Sequence, residues 1–256
     1  MNRILQCNDV SVRFGGVQAL GDVHFDAEEG GITAVIGPNG AGKTTLLNVI
    51  SGMVQQHAGF LIYGGADIST APPHVRAGLG MVRTFQNLEI FSNMTVLENV
   101  MIGCHGRLSV PAWCSLLRTP RSVALERQIR EEALEALEFV GIADLAGSTA
   151  KDLAFGRQRL LELARALAAR PRLLLLDEPA AGLNIAETQH LGELIQRIRD
   201  ANSLSVILVE HDMDLVMGIS DAIMVLSFGQ VISRGTPAQV QKDPQVIAAY
   251  LGVEED

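Results

Sequence analysis

Nine consecutive residues, Gly37-Pro38-Asn39-Gly40-Ala41-Gly42-Lys43-Thr44-Thr45, have the types and spacing to hold a polyphosphate. Gly37, Gly42, Lys43 and Thr44 occupy the fixed places of the pattern GxxxxGK[S/T]. Glycine lets the backbone turn its N–H groups inward at phosphate oxygens, and Lys43 reaches the terminal phosphates. The Thr44 hydroxyl is a ligand for Mg2+. A helix starting at this loop would add its positive N-terminal end to the same anion. The second constellation is Asp177-Glu178-Pro179, which follows Leu173-Leu174-Leu175-Leu176. Asp177 can hold Mg2+, directly or through water, and Glu178 can orient or deprotonate an attacking water. Together the two patterns predict binding and hydrolysis of a nucleoside triphosphate.

Such residues work only if strands and helices bring them together. Ile32–Ile36 is a continuous apolar, β-branched run and reads as a buried strand ending at the glycine loop, with a helix over residues 45–50 after it. Residues 173–176 read as a second buried strand delivering Asp177 to its carboxyl end, where open α/β sheets bind ligands. Residues 205–209 read as a third, and 81–85 as another. Hairpins are expected over 59–68, around Gly64-Gly65, and over 222–233, around Gly229. The first ~30 residues alternate short apolar runs with Gly and Asp, as an antiparallel region does. From 95 to 168 the pattern is helical: over 124–140, Leu125, Ile129, Ala133, Leu137 and Val140 recur close to a 3.6 period. Pro111, Trp113, Arg118, Pro120 and Arg121 mark an irregular, exposed interruption. Residues 237–251 read as two short helices. The expected fold is an α/β P-loop core with an N-terminal antiparallel β region (1–88 and 170–256) and an inserted helical lobe (about 89–169), all within one domain of 256 residues.

Composition removes several other classes. Apolar residues make up 48% and charged residues 19%, which describes a globular chain. The net charge of −9 argues against a nucleic-acid partner, which needs a basic face. Mean hydropathy is positive, at +0.23, yet no run of 18 apolar residues occurs. The richest stretch, 206–228, is broken by Glu210, His211, Asp212, Asp214 and Asp221. Residues 1–9 lack the apolar core of a signal peptide. Cys7, Cys104 and Cys114 form no paired framework and are expected to be reduced cytosolic thiols.

The order of these motifs resembles the ATP-binding cassette of ABC transporters over essentially the whole chain. The signature segment of that family matches Leu153-Ala154-Phe155-Gly156-Arg157, followed by Gln158. Its Q-loop glutamine matches Gln86, its D-loop Ala181-Gly182-Leu183-Asn184, its switch histidine His211, and its adenine-stacking aromatic Phe14. The resemblance implies that Phe14 stacks on adenine and that residues 37–45 hold the phosphates of ATP. It further implies that Thr44, Gln86 and Asp177 organise Mg2+, that Glu178 polarises water, and that His211 and Lys43 contact the γ-phosphate. Leu153 to Gln158 would contact ATP held by a second ABC ATPase subunit. The runs Val209 to Met217, Asp177 to Asn184 and Gly235 to Gly252 are most similar to the ATPases of branched-chain amino-acid importers, with urea and short-chain amide importers sharing the pattern. The implied partners are that second ATPase subunit, membrane permease subunits and, indirectly, a solute-binding protein. The implied place is the cytoplasmic face of the plasma membrane, as a peripheral subunit. The apolar segment Leu88-Glu89-Ile90-Phe91 is the expected permease-docking edge.

Three positions depart from the family pattern. Ala154 stands where a serine donates to γ-phosphate, Phe155 replaces a glycine, and the D-loop ends in Asn184 rather than aspartate. A hydrogen bond to a charged group is worth about 1.5–3 kcal/mol. The expectation is therefore a heterodimer in which this chain's complete phosphate loop faces an intact partner signature, with a homodimer as the alternative. A non-transport ABC ATPase would carry tandem cassettes or a long coiled coil, and a GTPase an NKxD sequence; neither is present.

Overall fold

A computed structural model describes residues 2–108 and 119–251; Pro111, Trp113, Cys114, Arg118 and Gly252 lie outside the described residues. Three strands set the frame: β3 (Ile32–Ile36), β7 (Leu173–Asp177) and β8 (Ser205–Val209), each buried at all of its residues. Runs with no polar alternation are what a parallel sheet covered on both faces demands. They join β6 (Met81–Arg83), β9 (Ala222–Ser227) and β10 (Gln230–Gly235) in a six-stranded sheet of order β10-β9-β3-β8-β7-β6. All neighbours are parallel except β10 on β9. Val209 pairs with both Val35 and Asp177, so the carboxyl ends of β3, β8 and β7 lie side by side.

The N-terminal region forms a separate antiparallel sheet of order β2-β1-β4-β5. Its strands are β1 (Arg3–Phe14), β2 (Val17–Glu28), β4 (Ala58–Tyr63) and the short β5 (Ala66–Asp67). The β1–β2 register shifts near Asp9 and Asp22, whose φ angles are 51° and 49°. Aspartate tolerates the left-handed region, and such bulges twist long strands. Val10, Leu20, Phe25 and Leu61 from this sheet share one core with Leu46 and Leu47 of helix α1 (Lys43–Ile50) and with Leu175 and Met224. Behind α1, the guanidinium of Arg76 in α2 (Pro73–Gly78) donates to the carbonyls of Val49 and Ile50, capping the helix end in place of a solvent shell.

The chain divides into two compact units: its N- and C-terminal parts, to Arg83 and from Arg172, and the intervening Thr84–Pro171. The second unit is helical, with α3 (Val96–Cys104), α4 (Pro120–Val140) and α5 (Phe155–Ala168). Thr95 and Glu98 form a capping box at the start of α3. Gly103 brings α3 against α5: a Cβ there would lie 2.2 Å from the Arg165 carbonyl oxygen. On α4, Ile129, Ala133, Leu137 and Val140 are the buried face that the periodicity marks.

Two sequence expectations change. Pro120 and Arg121 do not belong to the irregular stretch; Thr119 is an N-cap and Pro120 takes the first helical turn, where its missing N–H is no loss. The strand expected over 81–85 stops at Arg83. In the first unit the chain then continues through α6 (Ile185–Asn202), α7 (Met213–Ile219), α8 (Pro237–Val240) and α9 (Pro244–Leu251). No helix among the described residues is long and apolar enough to cross a membrane.

Candidate nucleotide site

The loop between β3 and α1 is held by backbone approaches that admit no side chain. A Cβ on Gly37 would sit 2.0 Å from the Leu226 carbonyl oxygen, and one on Gly42, at φ 103°, 2.8 Å from that of Ala19. Gly42 is the N-cap of α1 and offers no side-chain cap, which leaves the first-turn N–H groups for an anion. Lys43 folds back over this loop: its Nζ donates to the carbonyls of Gly37 at 2.7 Å and Pro38 at 3.0 Å. Burial lowers the pKa of this ammonium, against the raising influence of Glu178 and Asp177. A phosphate would replace two carbonyl dipoles with a full negative charge. Thr44, next in the helix, is exposed.

At the end of β7, Asp177 is only 2% exposed and accepts from Arg83 Nη2 at 2.8 Å. Arg83 also donates to Asn48 Oδ1 at 2.7 Å and Ser51 Oγ at 3.1 Å, so one guanidinium joins α1 to the acidic strand end. Glu178 has φ 49°, outside the range a strand allows, and this turns its side chain out of the sheet line. Its N–H donates to the Val209 carbonyl at 2.8 Å. Its Oε1 lies 2.7 Å from His211 Nε2, within hydrogen-bond distance. That geometry suits a base for water with an imidazole beside it.

Of these groups Lys43, Thr44, Glu178 and His211, but not Asp177, line one cavity of about 410 Å3, formed by Val17–Ala19, loop residues 39–45, Glu178, His211 and the turn Phe228-Gly229. Apolar and polar walls in a concavity of this size are typical of a small-molecule site. Gly37 and Pro38 contribute carbonyls to Lys43 from behind the lining. Phe14, 53% exposed, ends β1 and does not line the cavity, whereas Val17, its partner across the turn, does. Phe228 was not a sequence candidate. It is 91% exposed at φ 47° in the β9–β10 turn, and an aromatic where Gly or Asn is usual is the signal that marks it.

The remaining candidates belong to other elements. Ala181 to Asn184 form the turn after β7, with Asn184 accepting from Glu187 N–H as the N-cap of α6. Gln86 belongs to the second unit, where its carbonyl accepts from Arg159 Nη2 at 2.7 Å. Arg159 Nη1 also donates to the Phe85 carbonyl, and Glu162 accepts the Phe85 N–H at 3.5 Å. In the same unit, Leu153 closes a short 3-10 turn and Ala154 is the N-cap of α5 without any side-chain bond. Gly156 lies in the first turn. Phe155 is stacked under Arg159, Arg157 donates to the Gly141 carbonyl, and Gln158 to that of Ala150.

Among the described residues no cluster of three or more His, Cys, Asp or Glu side chains could hold a metal alone. Asp177 Oδ1 is nevertheless buried without a hydrogen-bond partner. An orphaned carboxylate oxygen and a threonine hydroxyl suit Mg2+, which keeps waters and takes one or two protein ligands beside phosphate oxygens.

Residues 20–181 match the family described as ABC transporter, and residues 230–256 that described as branched-chain amino acid ATP-binding cassette transporter. Over 249 residues the chain is 44% identical to the high-affinity branched-chain amino acid transport ATP-binding protein BraF of Pseudomonas aeruginosa, covering 97% of this chain and 98% of that one. It is 41% identical, with the same coverage, to the corresponding protein LivG of Escherichia coli. A solved ADP conformation of MJ1267, an ATP-binding cassette of an ABC transporter, superposes with a TM-score of 0.86 at 31% identity, covering 98% of this chain and 100% of that one. A nucleotide-free cassette gives 0.85 at 31% identity, covering 97% and 99%. The chain belongs to the ABC transporter family and is one of its ATP-hydrolysing cassettes.

Proposed function

We propose that this chain hydrolyses ATP to drive import of branched-chain amino acids, as a peripheral subunit bound to permease subunits at the cytoplasmic face of the membrane. The observation that carries the reading is the Glu178–His211 pair facing the Gly37–Thr45 loop across one cavity. Similarity to two proteins named for branched-chain amino acid transport supports the choice of solute.

Residues 39–45 bind the phosphates, and Lys43 exchanges its two carbonyl partners for phosphate oxygens. Phe14 stacks on the adenine. Thr44, Asp177 and Gln86 would hold Mg2+, which would neutralise developing charge on the phosphates. Glu178 takes the proton of the attacking water, and His211 orients Glu178 and contacts the γ-phosphate. The signature segment Leu153 to Gln158 faces ATP held by a second ABC ATPase subunit. Ala154 brings no hydroxyl to that ATP, and its place as an uncapped helix N-terminus leaves only backbone N–H groups there. That asymmetry favours a heterodimer. The docking edge for the permease is Phe91, half-exposed yet fixed by buried Asn99, whose side chain bonds both its N–H and its carbonyl. A solute-binding protein delivers the amino acid to the permease.

The test is the assembled transporter in vesicles, with labelled leucine uptake and ATP turnover measured together. Glu178→Gln should abolish both while ATP still binds, and Phe91→Asp should spare ATP binding but lower uptake. Turnover surviving Glu178→Gln refutes the catalytic assignment, and uptake of urea but not leucine refutes the solute. An equal loss from the matching substitution in the second ATPase subunit refutes the asymmetry.

A further inference from the structure

Glu210 sits between β8 and His211 and is 3% exposed. Burial raises the pKa of its carboxyl group, three backbone N–H groups oppose that by favouring the charged form, and Glu178 nearby raises it again. A carboxylate kept in such a place must be well occupied, and its two oxygens serve two different loops. Oε1 accepts the Ala180 N–H at 2.7 Å, two residues beyond Glu178. Oε2 accepts the His211 N–H at 2.9 Å, with the Asp212 N–H farther away at 3.5 Å. The sheet itself holds these loops together only as far as the Glu178 N–H to Val209 carbonyl bond. Past that point the chains diverge, one into Pro179-Ala180 and the other into His211-Asp212.

We infer that Glu210 is a positioning residue, a bidentate clamp that fixes the loops of Glu178 and His211 at the separation their 2.7 Å contact requires. The inference rests on the reading that this pair serves hydrolysis. The residue type follows from the geometry. Glutamine has one accepting oxygen and would turn its own N–H2 toward a backbone N–H. Aspartate, one methylene shorter, reaches one loop but not both. Glu210 touches neither the phosphate loop nor Asp177 through any of its bonds, so its effect should fall on turnover rather than on nucleotide binding.

The experiment uses the assembled transporter carrying Glu210→Gln, Glu210→Asp, His211→Ala or the double variant Glu210→Gln/His211→Ala, with Glu178→Gln as a control. A lost bond to a charged group predicts a fall in kcat of about 10- to 100-fold for each Glu210 variant. KM and ATP affinity should stay within about twofold, because the bonds lost go to the loops of Glu178 and His211 and none goes to the phosphate loop. The double variant should lose no more than His211→Ala alone, since both substitutions disable the same unit. A near-normal kcat refutes the clamp. So does a joint fall of kcat, ATP affinity and Tm, or losses that multiply in the double variant, because a plain structural role produces those. If the Gln variant does not fold, the Asp variant carries the same expectation; failure of both to fold also refutes it. Glu178→Gln that still turns over overturns the hydrolytic reading itself, whereas an inert Glu178→Gln beside a normal Glu210→Gln overturns the clamp alone.

Discussion

Replacing Arg83 with methionine should expose how the acidic strand end is stabilised before any metal arrives. The Arg83–Asp177 pair is closed, with side chains 7% and 3% exposed and an N···O distance of 2.8 Å. Methionine fills much of the space but leaves a buried carboxylate whose Oδ1 already lacks a partner. Breaking one side of a buried pair destabilises by about 3–5 kcal/mol. The same substitution removes the bonds to Asn48 and Ser51, so the loss should lie in the upper part of that range. Native-state hydrogen exchange of the Leu173–Asp177 amides reads it directly, because those amides sit in the first unit and report its opening. Two rescues should follow. Asp177→Asn in the Arg83→Met background removes the uncompensated charge and should return about half of the protection. Saturating Mg2+ and ATP should return part of it in the single variant by binding the folded state alone. A loss below about 1 kcal/mol, typical of an exposed pair, with no recovery in the double variant, refutes the reasoning.

Gly103→Ala should destabilise the second unit by about 1–3 kcal/mol, the range for overpacked contacts, since its Cβ meets the Arg165 backbone rather than a movable side chain. Denaturant unfolding followed by circular dichroism measures it, and an unchanged midpoint would mean the helices separate freely. Cys7, fully buried, has its thiol pushed up to about 12, first by desolvation and then by Asp26. Its folded value lies above the unfolded one, so its contribution to stability is complete below about pH 9 and is lost as the pH climbs through about 12. Iodoacetamide at about pH 8.5 should therefore leave Cys7 unlabelled in the native chain and label it in urea, as read by peptide mass.

The parallel core was legible because its central strands are runs of mostly apolar residues with no polar alternation, a pattern that surface strands and helices do not share. The phosphate loop was legible because its constraint is local: only glycine tolerates the carbonyls of Leu226 and Ala19 so close, and those glycines are visible as letters. Arg83, Glu210 and Gly103 were not legible. Each acts through a partner far along the chain, Asp177, Ala180 and Arg165, and no spacing rule encodes such pairs. Arg83 also hid the end of its strand, since Met81 to Phe85 reads as one extended run until the guanidinium is seen turning toward Asp177. Pro120 misled for the opposite reason. A proline suggests a break, yet behind Thr119 it begins the longest helix among the described residues.

Arg159 and Glu162 on α5 hold the backbone of Phe85 and Gln86 through three bonds. The stretch that opens the second unit and the helix that follows Ala154 are thereby tied to each other. Mutational history should show it. A change at one end of that link should be felt at the other, so compensating substitutions for a damaged signature should be sought around Gln86 and Phe91 as readily as beside Ala154.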